Sequence, residues 1–265
     1  MKYLILNGSP RKGNTWKLTE LAKEQLQTLD GKAEFSEIHM NNQKLPFCCG
    51  CSSCFRTGHE TCPHSAIILP IISAMEEADG IIVSSTSYAM RETSLLKNLF
   101  DHLCFMLHRP HFFQKKALIL TTAGGIGAKQ AAKSIAAFLS GIGFNRCYQF
   151  GVATYSWNDY QVNEKTRLAL EKSTKKFYRD LASRKLHSPT VPLLIPYNIF
   201  RGMSLCYVKG TEYATLDGDY WTEEARIKGV YDRSVPVPFY KRPVGHLFYL
   251  IGKYAGKSVV VSYKK

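Results

Sequence analysis

The strongest constraint on the fold of this chain is an alternation of short apolar runs with segments of helical periodicity over about its first 185 residues. This alternation predicts a parallel sheet whose strands are joined by crossover helices. The predicted strands are residues 3–6, 33–39, 80–84, 116–122 and 147–153. The predicted helices are residues 15–29, 65–78, 92–107, 128–139 and 164–182. Five β/α repeats in this order predict a doubly wound α/β sheet, in which ligands bind outside the carboxyl ends of the strands.

The pattern changes after the first 186 residues, so we expect a domain of residues 1–186 and an extension of residues 187–265. Pro192 and Pro196 mark residues 187–196 as a linker. Short helices are predicted near residues 197–207, 220–228 and 244–254. The last helix is apolar and aromatic but too short to span a bilayer. For this helix, docking on the core or pairing with a second subunit is favoured over contact with a membrane.

The chain is strongly basic. It carries 35 Lys and Arg residues against 21 Asp and Glu residues, which gives a formal net charge of +14 and a pI of about 9.4. Such an excess favours anionic partners such as nucleotides or phosphorylated cofactors. The sequence contains no long Lys/Arg block and no nucleic-acid-binding module, so nucleic acid is not predicted as a partner.

Hydropathy predicts neither a transmembrane segment nor a signal peptide. No apolar run approaches the length of about 18 residues that a membrane span needs, and Asn7 interrupts the N-terminal run. We therefore expect a cytoplasmic protein, in which the eight cysteines are thiols or metal ligands rather than a disulfide framework. Cys104, Cys147 and Cys206 lie in apolar settings and are predicted to be inert core residues. The histidines show no spacing that indicates a metal site.

The loop "GSPRKGNT" joins the first predicted strand to the first predicted helix. Amides of the loop and of the first helical turn have no intrahelical partner, and the helix dipole adds positive potential. Gly8 and Gly13 permit close backbone approach, while short polar and basic side chains supply further donors: Ser9, Arg11, Lys12, Asn14 and Thr15. The loop is neither a Walker A loop nor a dinucleotide fingerprint, and it suits a terminal monophosphate. The alternative is an ordinary helix start with Asn14 as its N-cap.

Three motifs in order carry a resemblance to a known family. "GSPRKGNT" resembles the FMN-phosphate loop of flavodoxin-like NAD(P)H-dependent FMN reductases. "STSYAMRETSLLKNLFDH" resembles the second loop of that family, with matches at Tyr88, Ser94, Leu96, Lys97 and Asp101. "TTAGG", residues 121–125, resembles the third loop. The resemblance covers about residues 1–184 and departs from the family pattern at two positions, where Thr86 replaces a proline and His102 replaces an arginine.

This resemblance implies a flavodoxin-like fold with sheet order 2-1-3-4-5, an FMN cofactor and NAD(P)H as co-substrate. The implied phosphate ligands are Ser9, Arg11, Lys12, Gly13, Asn14 and Thr15. The implied residues along the flavin ring are Thr86, Ser87, Tyr88, Ala89, Met90 and Arg91 on one edge, and Thr122, Ala123, Gly124 and Gly125 on the pyrimidine side. Tyr88 is expected either to stack on the ring or to be a half-buried core aromatic. Lys97 and Asp101 are expected to form a structural ion pair at i and i+4.

A cysteine loop, residues 47–64, is the second dense motif. Cys48, Cys51 and Cys54 form C-x2-C-x2-C, and Cys62 follows, leaving Cys49 over. Four thiolates from one loop can surround a single metal ion or a [4Fe–4S] cluster, and this compact spacing favours the cluster over zinc. The pattern resembles that of iron-sulfur flavoproteins, a branch of the same flavin family, although the gap before Cys62 is longer than that branch leads us to expect. Relatives also carry similar cysteines without a cluster, so a cluster and a loop of free thiols remain two alternatives.

The resemblance implies an FMN-dependent oxidoreductase that passes electrons from NAD(P)H to a quinone, a free flavin or another small-molecule acceptor. No dedicated catalytic side chain is expected, because the flavin supplies the chemistry. The alternatives are an electron carrier that does not use NAD(P)H and a non-enzymatic protein whose basic C-terminal segment binds a membrane or a partner. The family resemblance also implies a homodimer or a higher homo-oligomer.

Overall fold

A five-stranded parallel sheet forms the centre of the computed structural model, which describes residues 1–258. Its strands are β1 (Lys2–Asn7), β2 (Glu34–His39), β3 (Gly80–Thr86), β4 (Lys116–Ala123) and β5 (Arg146–Ala153). Their order is β2-β1-β3-β4-β5, and every neighbouring pair is parallel. This is the predicted flavodoxin-like arrangement, and the predicted strands differ from the observed ones only at their ends.

Helices cover both faces of the sheet and form the extension. They are α1 (Asn14–Leu29), α2 (Met40–Gln43), α3 (Ser53–Arg56), α4 (Ser65–Glu77), α5 (Ser94–His102), α6 (Phe105–His108), α7 (Ala128–Gly141), α8 (Glu164–Ala182), α9 (Val191–Met203), α10 (Leu216–Thr222), α11 (Glu224–Ile227) and α12 (Arg242–Gly256). Short 3-10 turns occur at His59–Thr61, Ser204–Cys206 and Phe239–Lys241. No helix within residues 1–258 is long and apolar enough to cross a membrane.

Alternate side chains of each strand supply the two halves of the core, because successive residues of a strand point to opposite faces. Leu4 and Leu6 of β1 pack with α4, α5 and α7 on one face. Tyr3 and Ile5 pack with α1 and α8 on the other. The central strands are therefore buried on both sides, as continuous apolar runs predict.

Four predicted elements were wrong in their boundaries. The helix expected near residues 197–207 is observed at Val191–Met203, and the helix expected near residues 220–228 is divided between Leu216–Thr222 and Glu224–Ile227. The predicted helix 92–107 is split into α5 and α6, and it begins at Ser94 because the hydroxyl of Thr93 accepts a hydrogen bond from the Leu96 amide and caps the helix. The predicted linker 187–196 becomes helical at Val191, since Pro192 occupies the first turn, where a proline costs no hydrogen bond. The predicted ion pair of Lys97 and Asp101 is present on α5.

The extension packs around a small apolar cluster in which Leu194, Tyr197 and Trp221 contact Phe113, a residue that precedes β4. It contacts the segments that precede β4 and β5. The Trp221 indole donates to the His108 carbonyl oxygen at 2.8 Å, and the Asn145 amide donates to the His187 carbonyl oxygen at 2.9 Å. The extension therefore packs near the amino-terminal ends of these strands, away from their carboxyl ends.

Candidate functional site

A cavity of about 520 Å³ opens at the carboxyl edge of the sheet. Four loops line it, those that follow β1, β3, β4 and β5. The lining residues are Ser9, Pro10, Arg11, Gly13, Asn14, Thr15, Thr86, Ser87, Tyr88, Thr122, Ala123, Gly124, Thr154, Ser156, Trp157 and Asn158. The site lies where a doubly wound sheet is expected to bind its ligand.

The loop after β1 offers unpaired donors at the start of α1. The N-cap residue is Gly13 and no side chain caps the helix, so the predicted alternative of Asn14 as N-cap was wrong. The Ser9 hydroxyl oxygen accepts a hydrogen bond from the Thr86 amide at 3.0 Å, which leaves its own proton free to donate. The Thr15 hydroxyl contacts that of Thr122 on β4. Unpaired first-turn amides beside these hydroxyls suit an anion.

The side chain of Asn14 connects two loops of the cavity. Its amide nitrogen donates to the Ser156 carbonyl oxygen at 2.9 Å, and its amide oxygen accepts from the Tyr160 backbone amide at 3.2 Å. Both hydrogen bonds reach the segment after β5. Asn14 therefore positions that segment over the start of α1.

The adjacent basic residues Arg11 and Lys12 lie in different environments. Arg11 lines the cavity, and its guanidinium donates to the side-chain oxygen of Asn158 at 2.7 Å. Lys12 is outside the cavity lining, with its ammonium 4.5 Å from the centre of the Trp16 ring and 3.8 Å from a carboxylate oxygen of Glu37. No carboxylate belongs to the lining among the described residues. The cavity is therefore electropositive, and Arg11 rather than Lys12 supplies its formal charge.

The loop after β3 makes a strained turn at the rim of the cavity. Tyr88 and Arg91 pair across the turn through two backbone hydrogen bonds of 3.1 and 2.9 Å. The two residues between them have positive φ, +48° for Ala89 and +63° for Met90, the pattern of a type I′ turn. Each such non-glycine residue costs on the order of 1–2 kcal/mol. Ala89, Met90 and Arg91 stand outside the cavity lining.

Two residues of the same loop line the cavity. Tyr88 lines it with 54% of its surface exposed and belongs to none of the core clusters of the described residues, so the expectation of a core aromatic was wrong. Ser87 lines it too, and its buried hydroxyl has no hydrogen-bond partner within the described structure. The oxygen of this hydroxyl is shielded from the cavity and lies beside Gly127, which is outside the lining.

The loop after β4 presents a small surface to the cavity. Thr122, Ala123 and Gly124 line it, while Gly125 does not. A Cβ on Gly124 would lie 3.2 Å from the indole nitrogen of Trp157, tighter than an ordinary contact. Glycine at this position therefore lets the indole approach the backbone closely.

The loop after β5 was missed by sequence reasoning. Thr154, Ser156, Trp157 and Asn158 all line the cavity, and Trp157 is 86% exposed. The available signal was an aromatic, polar segment, "TYSWND", directly after the fifth predicted strand. Because carboxyl ends of parallel strands share one edge, this segment had to lie near the other three loops. An exposed tryptophan beside a cavity is suited to contact a planar aromatic ligand.

The donor set fits FMN. The start of α1 with Ser9 and Arg11 can hold a phosphate, and Gly124, Tyr88 and Trp157 provide small and aromatic surfaces for a flat ring. The lining therefore suits a molecule that carries both an anionic group and a planar aromatic group.

The cysteine loop is anchored to α5, the helix that follows the strained turn. Asn98 of α5 donates through its side chain to the carbonyl oxygens of Leu45 and Pro46 at 3.0 and 3.1 Å. Its side-chain oxygen accepts from the Cys48 amide at 3.3 Å. Cys48 and Cys51 are exposed, while Cys54 and Cys62 are half-buried. One asparagine thus fixes the start of the loop against α5, and Cys48 and Cys51 remain accessible.

Cys104 contacts the cysteine loop, which corrects its prediction as an inert core residue. The Cys104 thiol, together with burial, raises the pKa of Cys54 well above its usual value, and the Cys54 thiol lowers the pKa of Cys104. By contrast, burial raises the pKa of Cys147 to about 12, as expected for an inert thiol.

Two histidines lie beside Cys62, although their spacing in sequence indicates no metal site. The ligand atoms of Cys62, His64 and His102 lie within 4.8 Å of one another. His102 Nδ1 is 2.9 Å from the Asn98 carbonyl oxygen, and His102 Nε2 is 2.9 Å from His64 Nδ1. A carbonyl only accepts, so His102 is protonated at Nδ1 and directs the lone pair of Nε2 towards His64. His102, one of the two departures from the family pattern, thus becomes a possible metal ligand.

Comparison with known proteins agrees with the family resemblance of the sequence motifs. The profile of the family described as NADPH-dependent FMN reductase matches residues 1–154. An iron-sulfur flavoprotein of Archaeoglobus fulgidus is 29% identical over 144 residues, which are 53% of this chain and 69% of that protein. An iron-sulfur flavoprotein of Methanocaldococcus jannaschii is 36% identical over 103 residues, 38% of this chain and 51% of that protein.

Solved structures show the same fold. The apo form of an NADH:FMN oxidoreductase is 25% identical and covers 72% of this chain and 98% of its own, with a TM-score of 0.51. An FMN-dependent NADH-azoreductase from Bacillus anthracis, solved in complex with FMN, covers 66% of this chain and 98% of its own at 14% identity, also with a TM-score of 0.51.

Proposed function

The chain belongs to the NADPH-dependent FMN reductase family, and from this premise we propose that its cavity binds FMN and that electrons pass from NAD(P)H to a small-molecule acceptor. A quinone and a free flavin are the proposed classes of acceptor. The observation that supports the proposal most strongly is the meeting of an anion-binding helix start with an aromatic, glycine-lined surface in one cavity. Each feature alone is common. Their combination in one cavity suits a ligand that carries both a phosphate and a flat aromatic ring.

The proposed site uses most of the residues expected from sequence and adds one loop. Ser9, Arg11 and the first amides of α1 would hold the phosphate, with Thr15 held in place by Thr122. Thr86, Ser87 and Tyr88 would follow one edge of the ring, and Gly124 with Trp157 would cover the other. Lys12, Ala89, Met90, Arg91 and Gly125 support the loops from outside the cavity lining.

Bound FMN supplies the redox chemistry, because its ring accepts a hydride from a nicotinamide and releases electrons to an acceptor. The contribution of the chain is to bind and orient. Backbone amides next to Gly124 can donate to a ring that carries negative charge. The exposed sides of Tyr88 and Trp157 leave room for a second flat molecule. Among the described residues, no side chain of the cavity lining is a carboxylate or an imidazole.

The test is turnover by the full-length protein. Reconstituted with FMN, it should oxidise NADPH or NADH only when a quinone or a free flavin is added, and the protein without FMN should be inactive. Rapid mixing of the FMN-loaded protein with NADPH should bleach the flavin absorbance within the turnover time. Flavin that binds but is not reduced by either nicotinamide would favour the electron-carrier alternative.

We further propose that Cys48, Cys51, Cys54 and Cys62 hold a [4Fe–4S] cluster, the expectation that the names of the curated relatives support. The cysteines suit it in number and in their common loop, and the loop is anchored to α5. A cluster would have to separate the Cys54 thiol from that of Cys104 and draw Cys62 away from its two histidines. Those two contacts favour the competing possibilities, free thiols or one divalent ion at Cys62, His64 and His102.

Metal analysis of anaerobically purified protein separates these outcomes. A cluster predicts about four iron and four sulfide per chain, lost in Cys51→Ser and retained in His102→Gln. A single-ion site predicts about one zinc or similar ion per chain without sulfide, retained in Cys51→Ser and lost in His102→Gln. Free thiols predict no metal in any of the three proteins.

A homodimer is also proposed, from the resemblance alone. Light scattering on the FMN-loaded protein measures the mass directly, and a monomer at micromolar concentration would contradict it.

A further inference from the structure

Helix α12 has one face that is packed and one that is bare. Three glycines on its inner face, Gly245, Gly252 and Gly256, are buried, and a Cβ on Gly252 would overlap the backbone of Ile199 in α9. On its outer face four large side chains are 44% to 68% exposed: Leu247, Leu250, Ile251 and Tyr254. The spacing i, i+3, i+4, i+7 makes them one continuous apolar stripe. Within the described residues nothing covers this stripe.

The charge around the stripe is of one sign. Arg242, His246, Lys253 and Lys257 are exposed, and at 3.6 residues per turn they lie in a row along one flank of the stripe. The helix contains no acidic residue. Phe239 and Tyr240, in the turn just before α12, are 81% and 65% exposed and extend the apolar surface at its N-terminal end.

Charge decides between the possible occupants. A second copy packed antiparallel on this face by a two-fold axis would bring basic flank close to basic flank, which opposes association. A copy packed parallel would leave both basic flanks without an anionic partner. Nucleic acid could bind the basic flank through its phosphates but would leave the apolar stripe exposed to water. An anionic lipid surface satisfies both, because its headgroups attract the cations and its acyl boundary accepts the apolar side chains.

We propose that α12, with Phe239 and Tyr240, binds the surface of an anionic lipid bilayer. The helix lies in the plane of the interface, with the stripe buried in the acyl boundary and the basic flank among the lipid phosphates. The extension packs near the amino-terminal ends of β4 and β5, whereas the cavity opens at their carboxyl ends. A bilayer-bound chain therefore keeps its cavity accessible from solution. The inference rests on the surface of α12 and does not depend on the proposed flavin chemistry.

Vesicle sedimentation of the full-length protein tests it. The probe is phosphatidylcholine vesicles with about one third phosphatidylserine, compared with vesicles of phosphatidylcholine alone. The wild-type protein should bind the anionic vesicles at least tenfold more tightly than the neutral ones, and added salt should release it. Leu250→Ser with Ile251→Ser should weaken binding at least tenfold, and Lys253→Glu with Lys257→Glu should remove the preference for anionic lipid.

Matched controls lie on α8. Leu168 is as exposed as Leu250, and Lys175 is an exposed lysine far from α12 in sequence, so Leu168→Ser and Lys175→Glu should bind vesicles like the wild type. Melting curves check that each variant is folded. The proposal is overturned if the wild-type protein does not bind anionic vesicles, or if the α12 and α8 variants bind these vesicles with equal affinity. It is also overturned if the α12 serine variant turns a dimer into a monomer while the wild type binds no vesicles, because the face would then belong to a second copy.

Discussion

Arg11 and Lys12 show how two neighbouring residues of the same charge come to differ in role. The sequence indicated a basic loop between a strand and a helix, and both residues were expected at the phosphate. Which side chain reaches the cavity depends on groups distant in sequence: Asn158 accepts from Arg11, and Glu37 lies near the ammonium of Lys12, which also lies over the nearby Trp16 ring. No local pattern carries that information.

The two residues make a matched pair of variants. Arg11→Gln should weaken FMN binding about tenfold, because a charge-assisted hydrogen bond contributes roughly 1.5–3 kcal/mol and solvent exposure reduces it. Lys12→Gln should change the affinity less than about threefold, the effect of one screened charge near the site. Fluorescence titration with FMN measures both. Equal losses in the two variants would mean that only net charge matters.

Asp180 holds the extension, the sheet and α8 together at a single carboxylate. It accepts hydrogen bonds from Lys116 at 2.9 Å, His187 at 2.8 Å and Tyr148 at 2.8 Å, and Lys116 is almost fully buried. Burial alone would raise the pKa of Asp180, but these hydrogen bonds, led by that of Lys116, bring the pKa below its usual value. The carboxylate is thus stabilised in its charged form in the folded protein.

Removing that charge should be costly. Asp180→Asn leaves the Lys116 ammonium buried without its counter-ion and should lower the free energy of unfolding by about 3–5 kcal/mol near neutral pH. Since the folded-state pKa is depressed, the stabilisation is present above the unfolded pKa of about 3.9 and is lost as pH falls through the folded value. Urea unfolding at several pH values should therefore show the wild-type and variant stabilities converging in acid below about pH 4. A difference that is constant with pH would contradict the ion-pair account.

At the scale of elements, the apolar runs predicted all five strands because a strand buried on both faces must be apolar throughout. The extension was predicted less well. Pro192 and Pro196 were interpreted as linker residues, yet they lie in α9, whose packing against α12 comes from glycines that carry no local helix signal. Close contact between two helix backbones is a tertiary property, and it overrides the low helix propensity of glycine.

The glycine contact can be tested with a single methyl group. Gly252→Ala improves helix propensity by about 1 kcal/mol, but its Cβ would overlap the carbonyl oxygen of Ile199, and backbone cannot move aside as a side chain can. Overpacking of this kind costs about 1–3 kcal/mol, so we expect net destabilisation of the extension. Gly31→Ala is the control, since a Cβ there meets nothing within 4 Å. Thermal unfolding should show a lower melting temperature for Gly252→Ala alone; an unchanged one would mean that α9 and α12 separate easily.

At the scale of the whole molecule, three of the four loops around the cavity could be predicted because each carries a motif. The loop after β5 carries none, and only the topology of the sheet brings Trp157 to the other three. The cluster of Cys62, His64 and His102 was out of reach for a similar reason, since its two histidines are 38 residues apart and meet only after α5 has packed. The elements and their order could thus be predicted from the sequence. Which loops and side chains lie next to one another could be seen only in the folded structure.

The arrangement separates two ends of the molecule. The proposed flavin site lies at the carboxyl edge of the sheet, and the extension packs near the amino-terminal ends of β4 and β5. We therefore expect substitutions in the outer face of α12 to leave FMN affinity unchanged. A shift in that affinity for Leu250→Ser with Ile251→Ser, followed by fluorescence titration, would show that the two ends are coupled.

The central claim is that one cavity recognises both a phosphate and a flavin ring. A parallel titration of the full-length apoprotein with FMN and with riboflavin, which share the ring and differ in the phosphate, tests it most directly. We predict that FMN binds at least tenfold more tightly than riboflavin, and that Arg11→Gln narrows the difference. Equal affinity for the two flavins, or no binding of either, would contradict the assignment of the loop after β1 as a phosphate site.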